Sequence, residues 1–269
     1  MKDKLYTKVN DTYHTLGECI MHKLQLSNGE NVHLKYSRSQ NSLNISTSDP
    51  EPTYTLPLFH SSTCPMFRVQ TELHMTQSLN KYVPIFSSTV LKSNDQKILI
   101  CRQTETLGLA SKSWGFSYRK MQLKESLFKG GIRALREDTG INIMESGNSA
   151  YYLDIPIEIK PICLYESIFP KILEYGLPRN QALIVFNEVY LPFEAEEIKI
   201  KRNNVDFLVW MDHDDFKDIM EGNKVSIGPT DSSIRFDQKC FKGISPNKVG
   251  EGISEGHLNA LNLAFKGIN

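Results

Sequence analysis

The chain has 269 residues, of which 31 are basic and 31 acidic, so its formal net charge is zero and its pI lies near 7.0. This balance argues against broad electrostatic capture of nucleic acid, which needs a basic face. The sequence has no stretch approaching the ~18 apolar residues that a membrane-spanning helix requires, so we expect no membrane partner. The length suffices for one large domain or two small ones.

Five cysteines are dispersed along the chain, at positions 19, 64, 101, 163 and 240. They form no C-x-x-C pair and no zinc motif of standard spacing. An odd, dispersed set is typical of reduced thiols in the core of an intracellular protein. We therefore expect no zinc site and an intracellular, preferably cytoplasmic, location, with a mitochondrial one left open.

The first part of the chain, residues 1–81, alternates short apolar pieces with Ser, Asn and Pro. This pattern predicts a small β-rich N-terminal region of short strands and turns, with apolar pieces at 23–26, 32–36 and 54–59. A main domain is predicted over 82–222, followed by a C-terminal extension over 223–269.

Strand and helix patterns alternate in the main domain. The predicted strands are 85–92, 97–103, 158–167, 182–190 and 207–211, with a hairpin at Asn94-Asp95 between the first two. The predicted helices are 123–139, ended by Gly140, a second that starts with Asp212 as its N-cap, and a closing amphipathic helix at 254–265. Strands interleaved with helices on either face of a mixed sheet make an α/β/α sandwich.

One stretch, residues 125–141, matches most of a known motif without a gap. The motif reads G-x5-E-x7-R-E-U-x-E-E-x-G-U, where U is a bulky apolar residue. The matching positions are Glu125, Arg133, Leu135, Glu137, Gly140 and Ile141, with Asp138 in place of the last Glu. Trp114 matches the start of the W-x-x-P-G-G turn that precedes this motif. On these residues the chain resembles the Nudix hydrolases.

The resemblance implies an α/β Nudix domain that hydrolyses a diphosphate with Mg²⁺ or Mn²⁺. Positions 134, 137 and 138 are three and four residues apart, so they share a helix face, and in the family they carry carboxylates of the kind that Mg²⁺ prefers. The ion neutralises the diphosphate and activates a water. By resemblance, Glu125, Glu137 and Asp138 are metal ligands, and Glu137 and Arg133 are catalytic, with Arg133 holding the acidic residues in place.

The motif has also lost parts that chemistry would use. Ala134 replaces a Glu, and the loss of a ligand or base there would cost about 10²–10⁴ in rate. Relatives often carry a Glu six residues before Trp210, where this chain has Asn204. Asp206, two residues further on, would face the same side of a strand and could partly replace it.

The turn before the motif has changed as well, since its P-G-G has become Ser117-Tyr118-Arg119. Glycine lets the backbone approach a phosphate closely, and Tyr and Arg fill that space. Arg119 and Lys120 could still attract phosphate by charge. The resemblance therefore assigns substrate binding to Trp114, Arg119 and Lys120.

Stretches outside the motif resemble one branch of the family, whose members hydrolyse capped RNA. They are L-Y-E-S-I-F-P at 164–170, Y-G-L-P-R at 175–179, S-T-C-P-M at 62–66 and L-F-K-G-G at 127–131. Within them, Glu166 is either a solvated strand residue or a substrate contact, and 176–178 is either a plain turn or part of a specificity loop.

Three other stretches have both a functional and a structural interpretation. The acidic run 212–215 is a second metal patch or a helix N-cap with acidic residues in its first turn. The run 194–201 supplies a catalytic Glu (194, 196 or 197) or is a solvated loop. Tyr151 and Tyr152 stack on a base or pack as strand residues.

Two hypotheses follow. In the first, the chain is a weakened Nudix hydrolase of nucleoside diphosphate-linked compounds, with a nucleotide-type small molecule or an RNA cap as substrate. In the second, it is a catalytically inactive Nudix fold that serves as a scaffold, a binding module or a subunit with protein partners. The losses at 134 and 204 favour the second hypothesis, and the retained Glu125, Arg133 and Glu137 favour the first. A plain solvated surface helix is the third way to interpret 125–138.

Overall fold

The structure is a computed structural model that describes residues 5–14, 17–49, 51–61, 64–66, 82–104, 113–146, 149–169, 174, 178, 180–227, 234–236 and 252–266. The chain divides into two compact units. The N-terminal unit comprises Met1–Ser87, Arg119–Gly130 and Pro161–Phe186, and the C-terminal unit comprises Ser88–Tyr118, Gly131–Lys160 and Asn187–Asn269. Both units take in parts of 82–222, and the division into 1–81, 82–222 and 223–269 stays a prediction.

The described strands and helices are as follows. The strands are β1 (Tyr6–Val9), β2 (Thr12–Tyr13), β3 (Asn31–Ser37), β4 (Ser42–Ser46), β5 (Tyr54–His60), β6 (Ile85–Lys92), β7 (Ile98–Gln103), β8 (Trp114–Gly115), β9 (Tyr118–Lys120), β10 (Met144–Ser146), β11 (Ser149–Tyr152), β12 (Ile155–Ile157), β13 (Ile159–Phe169), β14 (Asn180–Tyr190), β15 (Val205–Met211), β16 (Val225–Ile227) and β17 (Ile234–Phe236). The helices are α1 (Ile20–Leu24), α2 (Lys129–Thr139), α3 (His213–Glu221) and α4 (Glu255–Lys266).

The N-terminal unit is built on a mixed sheet with the strand order β13-β5-β3-β4-β1-β2. The pairs β13–β5 and β1–β4 are parallel, whereas β3–β5, β3–β4 and β1–β2 are antiparallel. Alternation along the strands points one side chain in two into the core, as with Val32 and Leu34 on β3 and Leu56 and Leu58 on β5. The predicted β-rich N-terminal region is thus confirmed.

The C-terminal unit contains the strand order β15-β7-β6, with β8 paired to β7. Residues 98–101 of β7 are all buried, as expected for an inner strand that is covered on both faces. Two smaller antiparallel groups, β10-β11-β12 and β16-β17, also belong to this unit. Helices α3 and α4 and most of α2 belong to this unit.

The predicted α/β class with a mixed sheet is confirmed, together with the C-terminal helix. The strand predicted at 85–92 has the observed bounds, and the other four differ by one to two residues at one or both ends. The apolar piece at 23–26 is not a strand, because Leu24 ends α1 and Gln25 follows it with a left-handed φ of 57°. Among the described residues, no helix combines the length and hydropathy needed to cross a membrane.

The motif helix begins later than predicted. It was expected from position 123, but α2 starts at Lys129, because the Ser126 side-chain oxygen accepts the Lys129 N–H at 3.1 Å. Lys124, with a φ of 61°, breaks any helical path before that point. Gly130 then allows a close approach, since a Cβ there would lie 3.3 Å from the Arg119 carbonyl oxygen.

Candidate functional site

The second half of α2 carries the acidic residues of the motif. Ala134 and Asp138 are fully buried, four residues apart on one helix face, while Arg133 and Glu137 are half-buried beside them. Position 134, which holds a Glu in the family, thus carries a small side chain that packs in the core. Glu137 and Asp138 are adjacent at the carbonyl end of the helix.

The carbonyl end of α2 is capped by a loop that lies more than 60 residues later in the sequence. A helix leaves its last four carbonyl groups without partners inside the helix. Here each of the four accepts a hydrogen bond: Arg136 from Gly140 N–H (2.9 Å), Glu137 from Asn204 Nδ2 (3.0 Å), Asp138 from Asn203 N–H (3.1 Å) and Thr139 from Lys201 N–H (2.8 Å). We call residues 201–204 the capping loop. The backbone that carries both acidic residues is therefore fixed in place.

Asn204 has a structural role that the sequence did not reveal. Its side chain bonds the Glu137 carbonyl across 67 positions, and it lies before β15 rather than on it. The prediction assumed that Asn204 and Asp206 share a strand, but β15 begins at Val205. The register of β15 shifts between Val205 and Phe207, and such a bulge breaks the alternation of side chains.

Replacing Asn204 by Ala is expected to lower the free energy of unfolding by about 1 kcal/mol, the usual contribution of one hydrogen bond. Chemical denaturation measures the change. Asn203→Ala is the matched control, because Asn203 caps Asp138 through its backbone N–H, which the substitution keeps. Equal destabilisation by both variants would contradict the capping role of the Asn204 side chain.

Glu125 lies on a turn before α2, in the N-terminal unit. The prediction that it belongs to the motif helix is wrong, for the reasons given above. Its side chain is buried and its Oε2 accepts the Gln122 N–H at 2.7 Å, while its carbonyl oxygen accepts the Tyr36 hydroxyl at 2.6 Å. The structure thus fixes Glu125 firmly, and its role as a metal ligand stays a prediction.

The predicted substrate-binding residues lie on two short strands. Trp114 on β8 is buried, and its ring stacks on Phe207 at a centroid distance of 6.3 Å. Arg119 on β9 is half-buried and Lys120 is exposed. Substrate binding by these three residues stays a prediction.

The C-terminal helix packs on the residues that follow Trp114. His257 of α4 is buried, and its Nδ1 accepts the Phe116 N–H at 3.1 Å. Gly115 must be small here, because a Cβ would lie 2.8 Å from the His257 ring. The backbone continues the contact: the Trp114 N–H donates to the Gly252 carbonyl at 2.9 Å. Sequence reasoning missed His257, which gave no signal beyond an isolated His on an amphipathic helix.

Acid is expected to destabilise the chain through His257. Burial lowers the pKa of its imidazole to about 3, so the unfolded chain binds a proton that the folded chain does not bind. Stability is therefore full above the ordinary pKa of about 6.5 and falls as the pH drops toward 3. Between about pH 7.5 and pH 5 the free energy of unfolding should decrease by about 2 kcal/mol from this group.

The matched variant is His257→Gln, which keeps an acceptor for Phe116 but cannot titrate. Its unfolding free energy, measured in denaturant over the same pH range, should fall less steeply than that of the native chain. His14, whose pKa is lowered to about 4 chiefly by burial, titrates in both chains and cancels. Parallel pH profiles would contradict the assignment.

Glu166 is not the solvated strand residue that one interpretation expected. It is fully buried, its two oxygens accept the Ile20 N–H at 3.0 and 3.1 Å, and Gln181 Nε2 donates to it at 2.6 Å. Burial raises the pKa of this carboxyl to about 8. These contacts favour a structural role. Most of 175–179 lies outside the described residues, as do Ser62, Thr63 and Cys240.

The remaining candidates occupy structural or solvent-exposed positions. Asp212 is the N-cap of α3, where its side chain accepts the Asp215 N–H at 2.8 Å, as one interpretation predicted. Glu194, Glu196 and Glu197 are exposed on a loop. Tyr152 is buried with its ring against Phe193 at 5.7 Å.

Comparison with known proteins agrees with the motif. No family model matches the chain. The chain nevertheless resembles the Nudix hydrolases, as the sequence predicted. Among curated relatives, it is 23% identical over 172 residues to the m7GpppN-mRNA hydrolase NUDT17 of Homo sapiens, which covers 61% of this chain and 50% of that protein. Its identity to NUDT17 of Danio rerio is 25% over 169 residues, covering 59% and 52%. The chain thus spans about half the length of these relatives.

Solved structures with some likeness to the chain are also Nudix proteins. A MutT/nudix family protein from Enterococcus faecalis matches with a TM-score of 0.41 and 16% identity, over 75% of this chain and 68% of that one. The NUDIX domain of Shewanella oneidensis NrtR, complexed with ADP ribose, matches with a TM-score of 0.40 and 14% identity, over 74% and 98%. TM-scores of this size support no comparison of sites.

Proposed function

We propose that the chain is a Nudix-type hydrolase of nucleoside diphosphate-linked compounds, with turnover weakened by the missing Glu at 134. One observation carries the proposal: Glu137 and Asp138 are consecutive residues at a helix end whose four terminal carbonyl groups are all bonded. A site works best when its side chains are held by a fixed backbone. The capping loop provides that support.

The residues present at this helix end suit a divalent cation. Carboxylates are ligands that Mg²⁺ and Mn²⁺ prefer, and the carbonyl end of a helix carries partial negative charge that favours a cation. Glu137 and Asp138 would hold the ion. A role for Glu125 as a further ligand is predicted from the sequence alone. The bound ion would neutralise the diphosphate and activate a water.

The other residues of the chain would position the substrate and the acidic side chains. Arg133 lies one helical turn before Glu137 and would hold the carboxylates in place. Arg119 and Lys120 offer positive charge for phosphate oxygens. Because the NUDT17 relatives are m7GpppN-mRNA hydrolases, capped RNA is the substrate class that we propose.

A second candidate function, an inactive Nudix fold with protein partners, is favoured by specific contacts. Ala134 is fully buried on the face that it shares with Asp138, so the core is packed around a small residue. Asn204, at the position where relatives often carry Glu, uses its side chain to cap Glu137. Two positions of the family's acidic set thus have structural roles here.

A hydrolysis panel separates the two functions. The purified chain is incubated with capped dinucleotides, nucleoside diphosphate sugars and coenzyme A, with Mn²⁺ or Mg²⁺ and, in parallel, with EDTA. We expect slow cleavage of a diphosphate bond that stops when EDTA removes the metal. If no substrate is cleaved at millimolar metal, the chain is the inactive fold.

A further inference from the structure

Three side chains with metal-binding atoms meet in the N-terminal unit, away from the motif. They are Cys19, directly before α1, His60, at the end of β5, and Cys64. One ligand atom from each lies within 4.8 Å of the other two. Cys19 is buried, and His60 and Cys64 are half-buried, so an ion could reach the group from solvent.

The spacing of these atoms fits a tetrahedral ion. With metal–sulfur bonds of about 2.3 Å and metal–nitrogen bonds of about 2.0 Å, two ligands of a tetrahedral zinc ion lie about 3.5 Å apart. Cys19 Sγ and His60 Nδ1 are 3.6 Å apart. A single thiol–imidazole hydrogen bond would also give this distance, but it does not require the third ligand atom that Cys64 brings to the same place.

The fold fixes the backbone at all three residues. The Cys19 carbonyl accepts the Lys23 N–H at 3.0 Å, the His60 N–H donates to Asn28 Oδ1 at 2.9 Å, and the Cys64 N–H donates to the Ser61 carbonyl at 3.0 Å. Each bond ties its residue to a separate turn or helix end. The ligand atoms are therefore held together by the fold and not only by contact with each other.

The Cys19 side chain has an additional support. Its Sγ lies 3.4 Å from Glu166 Oε2, and Glu166 is itself held by the Ile20 N–H and by Gln181. The thiol is the donor in this contact, so the Glu166 contact orients Cys19 in the metal-free chain and ends when zinc displaces the thiol proton. Glu166 is therefore a neighbour of the cluster and is not one of its three ligands.

We propose that Cys19, His60 and Cys64 bind a zinc ion, with a fourth position open to water. Two thiolates and an imidazole form a ligand set that binds zinc in preference to Mg²⁺ or Ca²⁺. Binding releases both thiol protons to solvent and ties the start of α1 to the end of β5. The expectation of no zinc site overlooked His60, four residues before Cys64, and Cys19 comes from another element, 41 residues before His60.

Cobalt replaces zinc as a visible probe. The full chain, purified with reductant and stripped of metal with EDTA, is titrated with Co²⁺ and then with Zn²⁺. We expect one thiolate-bound Co²⁺ per chain, with a thiolate-to-cobalt charge-transfer band and the visible bands of a tetrahedral site, both lost on addition of zinc. Carboxylates produce no thiolate band, so Glu137→Gln should leave this signal unchanged.

Matched variants locate the site. His60→Gln and Cys64→Ala should each weaken cobalt binding at least ~100-fold, because each removes one of only three protein ligands. His33→Gln, a half-buried histidine on β3, should bind like the native chain. Zinc should also raise the thermal midpoint of the native chain by about 5 °C and leave that of Cys64→Ala unchanged.

Two results would overturn the proposal. One is the absence of a thiolate band at one equivalent of Co²⁺ in the reduced, folded native chain. The other is a band that survives in both His60→Gln and Cys64→Ala. If Cys19 and Cys64 instead form a disulfide in air and the reduced chain binds no metal, the cluster is a redox pair and not a zinc site.

Discussion

Replacing Glu137 by Gln is expected to lower metal-dependent hydrolysis by at least ~100-fold, the usual loss when a reacting carboxyl group is removed. Gln keeps the shape of the side chain and the backbone carbonyl that Asn204 caps, so the fold should be unchanged. The initial rate of product release, measured with a capped dinucleotide and saturating Mn²⁺, checks the expectation.

The control for this variant is Glu221→Gln, which removes a carboxylate from the exposed end of α3. Its rate should equal that of the native chain. If Glu137→Gln is as active as Glu221→Gln while both are folded by circular dichroism, Glu137 has no part in the chemistry.

Restoring the missing family residue should have the opposite effect. Ala134→Glu is expected to raise turnover by about 10²–10⁴, the range that a positioned acid or base contributes. It should also destabilise the metal-free chain, because a carboxylate would be buried on the same face as Asp138, four residues away. Mn²⁺ should recover part of that stability, since a cation would neutralise the pair.

The matched variant is Ala134→Gln, which adds the same volume without the charge. It should be destabilised to a similar extent but gain no turnover and no stabilisation by Mn²⁺. Equal rates for the Glu and Gln variants would mean that position 134 does not face the reacting groups.

The parts of the fold that were predicted correctly depend on local pattern. β6 was predicted with its observed bounds because its apolar residues and the turn at Asn94-Asp95 leave little choice. The N-cap role of Asp212 follows from a short side chain placed before acidic residues at a helix start. Both signals lie within a few residues of the element that they define.

The parts that were missed depend on contacts between distant residues. Nothing near position 204 indicates that its amide would cap Glu137, 67 positions earlier. His60 stands four residues before Cys64, but the third member of that cluster, Cys19, comes from another element. The start of α2 was also missed, because the left-handed backbone of Lys124 depends on its surroundings and not on its residue type.

The placement of the acidic residues shows how much of a site can be predicted from the spacing of a motif. Spacing alone put Ala134, Glu137 and Asp138 near one helix face; in α2 Ala134 and Asp138 are fully buried and Glu137 is half-buried. Spacing alone also put Glu125 on that helix, but Ser126 ends the preceding turn and starts the helix after it. Conclusions from helical periodicity hold only inside the helix, and its cap decides where that is.

The most direct test of the account is the location of manganese in crystals of the full chain grown with millimolar Mn²⁺. We predict an anomalous difference peak within coordination distance of the carboxylate oxygens of Glu137 and Asp138, at the end of α2 that the capping loop holds. If that helix end carries no peak, and both side chains instead pair with neighbouring cations of the protein, the hydrolase assignment is contradicted.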